Sequence, residues 1–154
     1  MTMDRATVAK TLEEIGNLHE LMGENFFKAR AYYTAARLFQ EMDVRPDELV
    51  ESGRLKSLPG IGDALTQKIT ELVRTGRLAY YEKLRDAVPG ELIAIMNIPG
   101  VGPRRANVIH RKLGIETVSG LECACRDGRL MSLRGFDEKI VHAIAANAAH
   151  MRKL

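Results

Sequence analysis

The sequence contains no tryptophan, and only 5% of its residues are aromatic. β-Sheet domains draw on aromatic and β-branched residues. This chain is built mainly from Ala, Leu, Glu, Lys and Arg, which favours an all-α fold. No apolar run approaches the roughly 20 residues of a membrane-spanning helix. The opening MTMDRATVAK lacks the apolar core of a signal peptide. Two cysteines, Cys123 and Cys125, are too few for a disulfide framework, and C-x-C alone is not a zinc site. Reduced thiols in a cytoplasmic protein are the expectation. His19, His110, His142 and His150 show no metal-ligand spacing with a carboxylate or thiol.

What is present begins with charge. The net charge of +3 hides an asymmetry. Residues 1–53 hold 6 Lys/Arg against 10 Asp/Glu, a balance of −4; residues 54–154 hold 17 against 10, a balance of +7. A pI near 9.0 with cations gathered in one segment suggests a polyanionic partner. With 154 residues, 45% of them hydrophobic, the chain can build one compact core or two small lobes.

Apolar residues at Val8, Leu12, Ile15 and Leu18 predict a first helix ending near Gly23. FFKARAYYTAARLFQEM predicts a second, from about Phe26 to Met42, and RPDELVESG a short third between Pro46 and Gly53. Then a pattern repeats. LKSLPGIG leads into DALTQKITELVRTG, and IMNIPGVG into PRRANVIHRKLG. A degenerate third copy, LMSLRGF, leads into DEKIVHAIAANAAHM. Each copy reads as helix, tight turn, helix. LAYYEKLRDAV and TVSGLECACRDG predict helices between the copies. Tyr80 and Tyr81 in the former read better as helix packing than as a base-stacking pair.

The turn has a chemical logic. A glycine after an apolar run can take positive φ. A second glycine two positions on lets another molecule approach the backbone, and the next helix opens with unpartnered N–H groups. Those amides, at the positive end of the helix dipole, suit an anion. Gly60 and Gly62 form one such pair, Gly100 and Gly102 another. Pro103 fits the first helical position, and Arg104 and Arg105 add mobile positive charge. A site of this kind binds phosphodiester without reading bases. Asp63 follows the first pair and competes for the same place; Asp137 replaces the second glycine of the third copy, which is expected to pack rather than bind.

GENFFKARAYYTAARLF, LPGIGDALTQKITELVRTGRL, IPGVGPRRANVIHRKLGIETV and LRGFDEKI together resemble the N-terminal region of family X DNA polymerases, of the bacterial and archaeal type and more distantly DNA polymerase beta. The resemblance covers nearly all of the chain. It implies an all-α architecture of two small lobes built around helix-hairpin-helix motifs. Residues 1–88 form the first lobe, with a hairpin at 54–76. Residues 89–154 form the second, with a hairpin at 92–114 and the degenerate copy at 128–152. It implies a DNA-repair role in which the first lobe engages the 5′-phosphate side of a gap and the second the primer side. It also implies a monovalent cation, Na⁺ or K⁺, on the backbone carbonyls of Leu58 and Ile61 and of Ile98 and Val101. No paired aspartates of a polymerase palm occur in these residues, so polymerisation is not expected of them, and a separate catalytic repair protein is an expected partner.

In some relatives the first lobe removes a 5′-deoxyribose phosphate by Schiff-base chemistry. By resemblance, Lys68 stands at the nucleophile's place, and Lys28 and Tyr32 at places that hold the 5′-phosphate. Lys28 and Tyr32 are spaced i, i+4 and share a helix face. Phe27 stands where DNA polymerase beta has histidine, and Ala64 where it has a second phosphate-contacting lysine, which makes the pocket less basic. A lysine of pKa near 10.4 is neutral about once in 10³ at pH 7, so a nucleophile here needs desolvation or a nearby cation. Lys68 lies at the edge of the stripe formed by Leu65, Ile69, Leu72 and Val73. That place suits a nucleophile, and equally a stem laid over the core. Three functions therefore stand open: a non-catalytic DNA-binding module, a lyase, and a protein-interaction domain with structural hairpins only.

Overall fold

The computed structural model describes residues 3–23 and 26–153. Among them are nine α-helices, two 3₁₀ turns and no strand, the all-α class expected from the composition. The chain divides into two compact units. One takes the chain up to His19 and again from the second helix to Ala87; the other takes Glu20–Gly23 and the chain from Val88.

The first unit holds α1 (Arg5–Leu21) as far as His19, α2 Phe26–Glu41, α3 Pro46–Ser52, α4 Asp63–Thr75 and α5 Ala79–Asp86. The apolar spacing read from α1 is the buried stripe: Val8, Leu12 and Ile15 are fully enclosed. They meet Ala35, Ala36 and Phe39 of α2 and Ile69 and Leu72 of α4 in one core. Each such aliphatic side chain contributes about 1.5–3 kcal/mol by leaving water. The stops are local. Gly53 (φ 69°) and Gly76 (φ 76°) end α3 and α4 in the left-handed conformation and donate back to carbonyls of the preceding turn.

In the second unit, α6 spans Leu92–Met96, α7 Gly102–Leu113, α8 Val118–Arg126 and α9 Glu138–Arg152. Leu92, Ile95, Ile98, Ile109, Leu121 and Ile144 are its enclosed apolar residues. Thr117 caps α8 by accepting from the Gly120 N–H at 2.9 Å.

The first arm of each hairpin is shorter than its sequence suggests. In the first and third copies it is a single 3₁₀ turn, Leu55–Ser57 and Leu130–Ser132; in the second it is the five-residue α6. A three-residue arm closes only i to i+3 bonds, so it tightens. Leu58 N–H donates to Leu55 O, and Leu133 N–H to Leu130 O, both at 3.1 Å.

Candidate nucleic-acid interface

The three turns share one construction. Ile61 N–H donates to Leu58 O (3.2 Å), Val101 N–H to Ile98 O (3.0 Å) and Phe136 N–H to Leu133 O (3.1 Å). The third residue of each is a glycine at positive φ: Gly60 at 81°, Gly100 at 96°, Gly135 at 87°. Proline second and positive-φ glycine third is the type II pattern, and Arg134 in the proline's place leaves the turn intact. The degeneracy of the third copy is therefore not in its turn.

The copies diverge one step later, where the following helix begins. Gly62, before α4, is extended (φ −94°, ψ −167°), and no side chain caps that helix. Asp137, before α9, is also extended (φ −100°, ψ 175°), but its carboxylate accepts from the Ile140 N–H at 2.8 Å. A Cβ on Gly62 would meet nothing within 4 Å. Neither backbone strain nor packing within the chain calls for glycine there. Gly102 differs: it stands at φ 73° as the first residue of α7, which also lacks a side-chain cap. Pro103 follows it at the start of the helix, as expected, within the turn whose N–H groups have no helical partner. The anion position is thus filled by the chain's own carboxylate in the third copy and by no capping side chain in the first two.

The charges around the tips are tied down. Lys56 meets the exposed Asp63 at 2.9 Å, so the acid that follows Gly62 is partly neutralised. Arg104 Nε lies 3.1 Å from a carboxylate oxygen of Glu20, whose side chain is 9% exposed. A buried carboxylate needs such a partner. Arg105 donates to the Gly100 carbonyl at 2.6 Å, and its guanidinium sits 5.7 Å from the Phe136 ring centre. Neither arginine is the mobile charge expected from sequence; each is anchored at the second hairpin by an internal acceptor. Asn147 of α9 also donates to this turn, at 2.8 Å from the Pro99 carbonyl. Nothing in the local sequence announced Glu20 or Asn147.

A second group of residues gathers within the first unit. Tyr32 is buried, stacked on His19 (ring centres 5.6 Å apart) and on Tyr80 (6.2 Å). The Tyr80 hydroxyl and His19 Nε2 are 2.8 Å apart. Lys68, half-buried, holds its Nζ 4.6 Å from the centre of the Tyr80 ring. Burial, and then the neighbouring Tyr80, push the Tyr32 phenol well above its ordinary value. The Lys28 and Tyr32 pair is split by this packing: Lys28 remains exposed while Tyr32 enters the core. Their helical spacing puts them on one face, but the edge of the core runs between them. Tyr81 likewise packs inward, its hydroxyl donating to Glu14. Tyr80 and His19 are the members that periodicity did not identify, because their contact joins residues 61 apart in the chain.

Comparison with known proteins agrees with this geometry. A family described as helix-hairpin-helix domain matches residues 3–78, and one described as SAM-like helix-hairpin-helix tandem matches residues 91–149. Similar proteins include a "DNA polymerase/3'-5' exonuclease PolX" of Bacillus subtilis (strain 168), 30% identical over 146 residues, covering 92% of this chain and 25% of that protein. A "DNA polymerase lambda" of Arabidopsis thaliana is 29% identical over 125 residues, covering 79% of this chain and 23% of that protein. The chain thus spans about a quarter of the length of these relatives. With three equivalent Gly-containing turns between helices and these matches across both units, the chain belongs to the helix-hairpin-helix proteins and is homologous to the N-terminal region of family X DNA polymerases.

Proposed function

We propose that this chain binds gapped or nicked DNA in repair, without reading sequence, through the backbone amides at the tips of its first and second hairpins. The observation that carries this reading is the difference between equivalent helix starts. α9 is capped by Asp137, whereas α4 and α7 carry no side-chain cap and are preceded by, or begin with, a glycine. A phosphate satisfies such amides as a carboxylate does. The basic balance of residues 54–154 supplies the long-range attraction. This reading includes a separate catalytic repair protein among its partners.

Fluorescence anisotropy on gapped, nicked and intact duplexes across a salt series tests it. Log affinity should fall with log salt by about 0.9 per phosphate neutralised. Arg104→Ala with Arg105→Ala should flatten the slope by about one to two units. An unchanged slope removes the second hairpin from the site. No affinity for any DNA at low salt leaves the protein-interaction reading instead.

A second reading is favoured by the half-buried Lys68 beside its aromatic cluster: a 5′-deoxyribose-phosphate lyase with Lys68 as nucleophile. Borohydride trapping on an incised abasic duplex separates the two readings. An adduct lost in Lys68→Ala makes the protein a lyase. No adduct, on DNA the protein still shifts, makes it a binding module. The same proposal includes a Na⁺ or K⁺ ion on the Leu58 and Ile61 carbonyls. Among the described residues no side chain donates to the carbonyls of Pro59 or Gly60 beside them, unlike their counterparts Pro99 and Gly100 in the second hairpin.

A further inference from the structure

The second hairpin is built differently, and the difference is a charge. Two of its turn carbonyls are already served by side chains: Pro99 O by Asn147 at 2.8 Å and Gly100 O by Arg105 at 2.6 Å. Ile98 O accepts the turn's own N–H at 3.0 Å, as Leu58 O does in the first hairpin at 3.2 Å, so the difference lies in the side chains. The residue that reaches Gly100 O is a full cation. In the first hairpin the equivalent place is Leu65, and in the third it is Ile140. Only the second copy therefore carries a cation at this place. Phe136 presents its ring face to the same guanidinium at 5.7 Å, so an aromatic quadrupole and a carbonyl dipole both hold it.

A monovalent ion on the Ile98 and Val101 carbonyls would sit beside this guanidinium, with two like charges sharing one turn. The donor set of the second hairpin does not suit a bound ion. We propose that Arg105 is the built-in cation of the second hairpin, fixed where the first hairpin relies on an ion from solution. The grip of the first hairpin then depends on which monovalent salt is present, and that of the second does not. This deepens the cation reading of the hairpins given above, and its test needs no DNA, so its failure is distinct from a failure of DNA binding.

The test is ¹⁵N–¹H NMR of the Gly100 and Gly102 amides in the free protein. KCl replaces tetramethylammonium chloride, whose cation is too bulky to coordinate carbonyls, at constant ionic strength. In the wild type these two signals should stay in place. In Arg105→Ala they should shift with saturation as K⁺ is added. Arg105→Gln keeps a donor for Gly100 O without the charge, and should respond to K⁺ as the alanine variant does. A saturable shift in the wild type, or flat signals in the variants, overturns the proposal. A glutamine variant that behaves as wild type also overturns it, since the bond rather than the charge would then be the cause.

Discussion

Gly62→Asp places at the first hairpin what the third already has, and the two consequences carry opposite signs. The backbone at Gly62 matches that at Asp137, and a Cβ there meets nothing, so the aspartate enters without strain. Its carboxylate can then accept from the Leu65 N–H, the counterpart of the Ile140 N–H that Asp137 holds at 2.8 Å. Capping by aspartate in place of glycine contributes a few tenths of a kcal/mol. The helix dipole adds about 0.3–1 kcal/mol, and a less floppy unfolded chain about as much again. The neighbouring Asp63 opposes this, although Lys56 offsets it and α9 tolerates the same acid pair in Asp137 and Glu138. A net gain of about 0.5–1 kcal/mol is expected, read as a melting temperature roughly 1–4 °C higher. DNA binding should move the other way. The amides are occupied and a negative charge faces the phosphate, so affinity should drop about tenfold or more, and the salt slope should flatten by about one unit. A thermal melt and an anisotropy titration on the same preparation decide the matter. A stabilised variant with unchanged affinity and slope would refute the first hairpin as a phosphate site; a destabilised one would refute the capping argument.

Three further outcomes follow from the same structure. Asp137→Ala should cost about 1 kcal/mol by uncapping α9, seen in chemical denaturation, while DNA affinity stays level or rises. Gly60→Ala forces an L residue to φ 81° and should cost about 1–2 kcal/mol, with DNA binding weakened alongside, in contrast to the unstrained position two residues on. The raised Tyr32 phenol gives an alkaline signature. The unfolded chain releases that proton near pH 10 and the folded one does not, so this stabilisation is whole below pH 10 and declines above it. The decline for one group approaches about 1.4 kcal/mol per pH unit, and Tyr32→Phe should remove that share from the slope of stability against pH.

The hairpins were legible because their determinants are local. A type II turn is written in four consecutive residues, and a left-handed helix stop in one glycine, so LPGI, IPGV and LRGF announce themselves without tertiary information. Even the fate of the third copy could be read, since an aspartate at a helix start caps the helix from its own position. The anchoring of Arg104 was not legible, for the opposite reason. Arg104 is held by Glu20, 84 residues away, and the Pro99 carbonyl by Asn147, 48 residues away. Position on a helix tells which face a side chain occupies, not which acceptor folding will bring to it. Lys28 and Tyr32 show the same limit on one helix: i, i+4 spacing aligns them, but only the packed neighbours decide that the phenol is enclosed and the ammonium is not.

The self-capped third hairpin has a use beyond stability. Its turn repeats the first, and its backbone enters the following helix through the same extended residue, so the protein contains an internal standard for the occupied state. The Asp137 oxygen marks, 2.8 Å from the Ile140 nitrogen, where an anionic oxygen rests on this scaffold. Under the proposed function, superposing the third turn on the first turns that oxygen into the expected position of a phosphate oxygen beside Leu65 N–H.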